Sequence, residues 1–294
     1  MISSPHVDIM MIGHFAKDKL VVDGQGETAS GGAVYYGSIA LRHLGVGVAV
    51  VTRLHPDDFS LLDELQQEEV QVFAIPALET SGIENIYDSA DMERRICKSL
   101  GFAGPFQAED IPNLSAHIYI AASIIAGEID LALLQSLSQR GPVALDVQGF
   151  VRVRNNGELV FRQWPDIAEG LSQVTYLKVD RAEAELITGQ TDLQVAARQL
   201  AEYGPREVVV TQSSGVTIFA DGDIFQAPFT PRTLDGRTGR GDTCFATYLG
   251  KRLSASPQEA CRFAAAVTTL KQEQPGPWRG TQEDIEVLLS SRKP

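Results

Sequence analysis

Short apolar runs rich in β-branched residues recur along this chain, and between them the apolar spacing switches to that of a helix. Val7–Ile12, Val48–Thr52, Val70–Ile75, His117–Ala121, Val143–Val147, Val174–Val179 and Val208–Thr211 read as strands. Most are apolar without a break, as expected of strands covered on both faces. Ala33–Leu44, Phe59–Glu68, Asp130–Arg140, Ala182–Thr188 and Leu193–Tyr203 read as helices, with Gly45, Gly141, Gly189 and Gly204 at their stops. Ser256-Pro257-Gln258-Glu259 is a capping box with proline at the first helical position; it launches an apolar helix around Phe263 to Leu270, which Pro275 and Pro277 end. Such alternation constrains the chain to a mostly parallel sheet with helices on both sides. Ligands of these folds lie beyond the carboxyl ends of the strands. The 294 residues suit one large α/β domain, or a domain with a small appendage, and can bury a substantial core.

Two segments break the rhythm. Lys19–Val22, Asp23-Gly24-Gln25-Gly26 and Glu27–Ser30 read as a hairpin, and Ile83–Tyr87, Asp88–Asp91 and Arg94–Leu100 as another. They predict a small β lid over one end of the domain, with segments at about 19–30 and 83–100; surface decoration is the alternative.

Composition narrows the function classes. A net charge of −13, from 25 basic against 38 acidic residues, argues against non-specific binding to nucleic acid or an anionic membrane. Cys97, Cys244 and Cys261 are far apart and odd in number, so neither a metal knuckle nor a disulfide framework is expected, and a reducing cytoplasm is the expected compartment. His6, His14, His43, His55 and His117 form no pair at ligand spacing and read as structural or surface residues. The start of the chain lacks the pattern of a signal peptide, and the longest apolar run, near Ile118 to Gly127, is too short to span a bilayer. A Walker-type phosphate loop, a complete dinucleotide fingerprint, a protein-kinase catalytic loop and a nucleophile elbow are all missing; Thr211–Gly215 reads as a turn between two strands.

The chemistry concentrates in Thr238-Gly239-Arg240-Gly241-Asp242-Thr243. Two glycines one residue apart let the backbone turn its N–H groups toward an anion. Phe245, Leu249 and Leu253 follow at helical spacing, so the loop opens a helix whose N-terminus attracts negative charge. Asp242 sits at that mouth, where the dipole favours an ionised carboxylate, the state a general base requires. An ordinary turn is the plainer alternative; the adhesion tripeptide spelled by Arg240-Gly241-Asp242 finds no other support.

These residues resemble the PfkB-type, ribokinase-like carbohydrate kinases over roughly residues 6 to 285. The loop matches that family's Thr-Gly-Ala-Gly-Asp-Thr/Ser motif. Gly31-Gly32-Ala33, running to Leu44-Gly45, matches its N-terminal Gly-Gly pair opening a helix, and Asp180-Arg181-Ala182-Glu183 resembles its Asn-x-x-Glu motif. The resemblance implies an α/β, ribokinase-like three-layer sandwich in a single domain over 1–294, with a mostly parallel central sheet and a small β lid. It implies an ATP-dependent kinase acting on a hydroxyl of a small sugar or polyol. Asp242 would be the base, and the backbone of Gly239, Arg240 and Gly241 the anion hole. Asp18 would bind adjacent acceptor hydroxyls, Gly31 and Gly32 would let the backbone approach the substrate, and Glu183 would act on Mg²⁺ through water. Thr238, Gly239 and Gly241 with the Thr211–Gly215 turn and Val267–Gly276 would flank the nucleotide.

Departures from the family pattern carry information. Arg240 replaces a small residue, Asp180 an asparagine, and Tyr36 an amide that binds sugar in ribokinases. Leu145–Arg152, with Asp146 and Gln148, resembles a variant of myo-inositol and nucleoside kinases, and Glu84 and Asn85 are placed facing the substrate. A nucleoside acceptor is the runner-up, its base stacked by Phe15, Tyr36 or Tyr87. A binding sensor without catalysis is the alternative of another class. The short segment between Asp18 and Gly31 suits a monomer or a homodimer.

Overall fold

The computed structural model describes residues 6–88 and 91–291, apart from the side chains of 22, 87, 88 and 91–96. Its strands are β1 (His6–Ile12), β2 (Ala16–Val22), β3 (Gln25–Gly31), β4 (Val48–Leu54), β5 (Gln71–Pro76), β6 (Gly82–Asp88), β7 (Asp91–Gly101), β8 (Ser115–Ala121), β9 (Val143–Asp146), β10 (Arg152–Asn155), β11 (Glu158–Phe161), β12 (Tyr176–Asp180), β13 (Glu207–Gln212), β14 (Gly215–Ala220) and β15 (Asp223–Pro228). The apolar runs of the sequence supply the central nine-stranded sheet, ordered β15-β14-β13-β12-β9-β8-β1-β4-β5. From β13 to β5 neighbouring strands are parallel, while β14 and β15 add an antiparallel edge.

Alternation along the strands divides the core in two. Ile9 and Met11 pack with helices Ala33–His43, Arg240–Arg252 and Pro257–Gln272 on one face. Met10 and Ile12 pack with helices Leu131–Arg140 and Leu193–Ala201 on the other. Both sets are inaccessible to water or nearly so. Each such side chain contributes about 1.5–3 kcal/mol of burial free energy, which fixes the order of layers.

The predicted hairpins are part of something larger. A second, six-stranded sheet has the order β10-β11-β7-β6-β2-β3. Its β2–β3 hairpin turns at Asp23-Gly24, both at positive φ. The β10–β11 hairpin, which the two-hairpin expectation lacked, turns at Asn156-Gly157, also both at positive φ. The helix expected over Phe59–Glu68 divides into a 3-10 segment, Pro56–Leu62, and a short α-helix, Asp63–Gln67. Asp58 accepts hydrogen bonds from Lys17 Nζ at 2.7 Å and from the Thr80 hydroxyl at 2.6 Å, which ties this turn to β2 and holds it tight.

A buried polar knot joins the two sheets where β1 passes into β2. His14 is fully buried, with Nδ1 2.7 Å from the Ser81 hydroxyl and Nε2 2.8 Å from the Gly104 carbonyl. Burial pushes this imidazole down to about 3, so it is neutral. Glu128 accepts the N–H groups of His14, Ile124 and Ile125 at 3.2, 2.9 and 2.8 Å. Removal from water still raises its carboxyl to about 7 against those donors.

Candidate active site

Two long helices begin on glycine without a side-chain cap: Ala33–His43 after Gly32, and Arg240–Arg252 after Gly239. Helices Leu131–Arg140, Arg181–Thr188, Leu193–Ala201, Pro257–Gln272 and Gln282–Ser290 are capped by Asp130, Asp180, Asp192, Ser256 and Thr281. A helix start without a cap leaves backbone N–H groups for a ligand. The two uncapped starts meet. Gly239 has φ 78°, and a Cβ there would fall inside the Tyr36 ring, so this position admits only glycine in conformation and in space. Tyr36 belongs to the first turns of the other helix and is itself buried.

Asp18 lies on β2 and reaches the same place. A methyl group at Gly31 would overlap its Oδ2, and its Oδ1 accepts the N–H of Ile83 at 2.8 Å. The Tyr36 hydroxyl is pushed far above its ordinary range, first by burial and then by the charges of Asp242 and Asp18. Asp18, Gly31, Gly32, Tyr36, Gly239 and Asp242 are thus gathered where the second sheet meets the two uncapped helix starts.

Beside them is the carboxyl end of the central sheet. Lys178 pairs across strands with Asp146, and Asp180 with Thr211. Lys178 Nζ lies 3.0 and 2.9 Å from the Asp146 carboxylate oxygens and 4.0 Å from Glu183 Oε2. A Cβ at Gly241 would stand 3.5 Å from Lys178 Cε and 3.8 Å from Thr211 Oγ1, so this lysine lies directly beside the glycine loop. The surrounding carboxylates outweigh burial and raise the ammonium well above the ordinary lysine range. Asp242 goes the other way. Burial lifts its carboxyl to about 6, with Lys178 opposing and Asp146 adding to the shift. The sequence expectation that the helix dipole would govern this group is corrected: loss of water is the larger effect.

Glu183 and Asp180 form a reciprocal capping box: Glu183 N–H donates to Asp180 Oδ1 at 2.8 Å, and Asp180 N–H to Glu183 Oε2 at 2.7 Å. The other Glu183 oxygen, Oε1, is buried with no partner. Burial raises this carboxyl to about 7. An orphaned buried oxygen beside Asp180 and Asp146 fits a hydrated divalent cation, whose waters would supply the missing donors.

Other expected residues are dispersed. Thr238 is exposed, while Gly215 is buried in the β14–β15 ladder against the Ala227 carbonyl. The Arg240 N–H donates to the Arg237 carbonyl at 3.3 Å. Glu84 is held by Lys19 at 2.9 Å. Strand register puts Glu84 on the Lys19 face of the lid, and Asn85 beside Leu20 on the Asp18 face. Phe15 is fully buried beneath Tyr35, and Tyr36 lies between Gly239, Tyr35 and Lys271, so neither ring offers a face to a base. The side chain of Tyr87 lies outside the described residues.

Sequence reasoning missed two lysines. The signal for Lys178 was a charge inside the apolar strand Tyr176–Asp180. Lys271 is buried, 1% exposed, at the end of helix Pro257–Gln272. Its Nζ donates to the Gly236 carbonyl at 2.7 Å and lies 5.3 Å above the Tyr36 ring. Burial lowers its ammonium to about 8 against the attraction of Asp242. A groove of about 950 Å³, lined by Pro228, Lys251, Arg262 and Ile285 among others, lies elsewhere. It adjoins the far end of helix Arg240–Arg252, whose 13 residues span about 20 Å from the glycine loop.

Comparison with known proteins agrees with this fold. A model of the pfkB family of carbohydrate kinases matches residues 1–283. A pyrophosphate-dependent kinase in the ribokinase family, solved with sulfate, superposes with a TM-score of 0.88 at 38% identity, covering 95% of this chain and 99% of its own. The complex of such a kinase with a pyrophosphate analog and myo-inositol gives 0.88 at 36%, with the same coverage. A cytidine kinase of Thermococcus kodakarensis is 26% identical over 266 residues, 87% of this chain and 92% of that protein.

Proposed function

The chain belongs to the pfkB family of carbohydrate kinases, and on that premise we propose that it phosphorylates a hydroxyl of a small sugar or polyol. The observation that carries the proposal is that Asp18, on β2 of the second sheet, and Asp242, in the first turn of helix Arg240–Arg252, both act on the Tyr36 hydroxyl. In this reading Asp18 accepts hydrogen bonds from adjacent acceptor hydroxyls, with Gly31 and Gly32 allowing close backbone approach. Tyr36 closes the pocket between the two carboxylates. The acceptor oxygen forms a bond to phosphorus as the bond to the leaving phosphate breaks, and its proton passes to Asp242. The N–H groups of Gly239 and Gly241 receive the charge of the transferring group, joined by that of Arg240 once it leaves the Arg237 carbonyl, a task of positioning and electrostatics. Mg²⁺, held by Glu183 through water, would neutralise the donor phosphates.

The family resemblance implies ATP, with Thr211 and Gly215 toward the nucleotide and Thr238, Gly239 and Gly241 along its phosphates. A second donor, pyrophosphate, is favoured by particular observations. The loop before the glycines is laid against the helix end where base and ribose were expected: Thr230 N–H bonds Thr269 Oγ1, Arg232 pairs with Glu273, and Gly236 N–H bonds the Gln272 carbonyl. Lys271 and Arg240 add charge at the place where a donor without a base must be held by its phosphates alone. The solved relatives named above use pyrophosphate, and we take it as the preferred donor. A polyol acceptor is preferred over a nucleoside because Phe15 and Tyr36 are packed into the core. We further propose a cytoplasmic monomer or homodimer without nucleic-acid or membrane partners; among the described residues no helix is long and apolar enough to cross a membrane, and the three cysteines are free.

The test is a transfer assay with Mg²⁺, crossing ATP and pyrophosphate with myo-inositol, ribose and cytidine. Phosphate release from pyrophosphate with a polyol, lost in Asp242→Asn, is the expected result. Transfer from ATP alone would overturn the donor reading, cytidine as the preferred acceptor would overturn the polyol reading, and tight binding without transfer from either donor would support the sensor.

A further inference from the structure

Two histidines and an aspartate that lie far apart in the chain meet at the amino-terminal edge of the central sheet. β1 and β8 are parallel neighbours, with Val7 opposite Ala116 and Ile9 opposite Ile118. That register sets His117 beside Asp8, and alternation along β1 puts His6 on the same face. The potential ligand atoms of His6, Asp8 and His117 all lie within 4.8 Å of one another. The two imidazole centroids are 4.2 Å apart, edge to face.

The cluster is oriented by its surroundings. Asp8 Oδ2 accepts the Gly47 N–H at 2.7 Å, and His6 Nδ1 is 3.0 Å from the Ser115 hydroxyl. Each contact occupies one polar atom of the side chain and leaves another to bind an ion, the usual arrangement of groups supporting a metal ligand. Among the described residues no lysine or arginine pairs with Asp8. Metal–ligand bonds of about 2.1 Å in a tetrahedron put ligand atoms roughly 3.4 Å apart. Both histidines are exposed, so small rotamer changes can close the difference.

We propose that His6, Asp8 and His117 form a binding site for a first-row divalent cation of the Zn²⁺ class, with water completing the coordination. Two imidazoles and a carboxylate suit such an ion, and Mg²⁺, which prefers an all-oxygen shell, is not its ligand. The site faces away from the glycine loop. β1 has 7 residues and runs about 20 Å from this edge to the end where its carboxyl terminus meets the active site. The ion therefore staples β1 to β8 and takes no part in phosphoryl transfer.

The test is a Zn²⁺ titration of the full, tag-free, chelator-treated chain by calorimetry, paired with thermal unfolding followed by circular dichroism. One equivalent should bind, and saturating Zn²⁺ should raise Tm by several degrees. The double variant His6→Ala/His117→Ala should lose both effects, and Asp8→Asn should weaken binding more than tenfold. His117→Gln, a milder change at an exposed position, provides the same readout should the double variant fold poorly. Absence of Zn²⁺ binding by the parent at micromolar concentrations, or an equivalent retained with unchanged affinity after both histidines are replaced, overturns the proposal.

Discussion

As the proposed base, Asp242 would combine two demands that pull against each other: nearness to the acceptor removes it from water, and accepting a proton requires it charged. Burial raises its carboxyl to about 6, still below neutral pH, while burial lowers the Lys271 ammonium to about 8. Below the first value the base is protonated; above the second the lysine loses its charge. The expected kcat/KM profile is a bell with the acid limb between about 6 and 7, where Asp242 and Glu183 titrate, and the alkaline limb near 8. An acid limb near 4 would contradict the burial of Asp242. Asp242→Asn should cost about a hundred- to ten-thousand-fold in kcat, with Tm at pH 8 equal to or above the parent, because a poorly solvated charge on a half-buried side chain is removed. Gly31→Ala places a methyl on the Asp18 carboxylate. It should raise the acceptor KM more than about tenfold and leave donor KM nearly unchanged, since one misplaced group costs orders of magnitude; equal effects on both would sink the assignment of Asp18. Asp242 and its glycines are legible as a motif, because loop chemistry is written in consecutive residues, whereas Asp18, a single carboxylate on β2, is singled out only by the family resemblance. Lys178 and Lys271 are not legible, because a lysine becomes a site residue only when packing buries it.

At the level of elements, the two sheets use charge differently. On the lid, register aligns Lys19, Glu84, Lys98 and Glu158 on one face, a row of alternating sign that includes the Lys19–Glu84 pair at 2.9 Å. Lys19 is 45% exposed in its side chain, so solvent screens the pair. In the central sheet the Lys178–Asp146 pair is 5% exposed on both sides. Glu84→Gln should therefore change unfolding free energy by less than about 1 kcal/mol. Lys178→Met, which strands two buried carboxylates, should cost about 3–5 kcal/mol. Urea denaturation of both variants checks the contrast, and similar losses would mean that the lid pair is shielded. The first hairpin was readable from its Asp23-Gly24 turn. Asn156-Gly157 carries an equally strong turn signal. It was passed over because the strands beside it are only four residues each, too short for an alternation to stand out.

Across the whole molecule, the central sheet is one wall shared by two cores. The two tryptophans report on different parts of that packing: Trp164 joins the core of Met10 and Ile12, while Trp278 packs with Ala40, Phe263 and Ile285. If the chain is a single cooperative domain, the variants Trp164→Phe and Trp278→Phe, each leaving one fluorophore, should unfold in urea with midpoints matching those from circular dichroism. Separated midpoints would divide the molecule into independent units. The sequence by itself determined the alternation of strand and helix, hence the parallel sheet, and the glycine loop with its aspartate, because both depend on neighbours in the chain. Only the tertiary structure decided that three hairpins fuse into one second sheet, that Phe15 and Tyr36 belong to packing, and that Lys178 and Lys271 border the glycine loop. It alone brought His6 to His117. These relations depend on strand order and on exclusion of water, and neither is a property of adjacent residues.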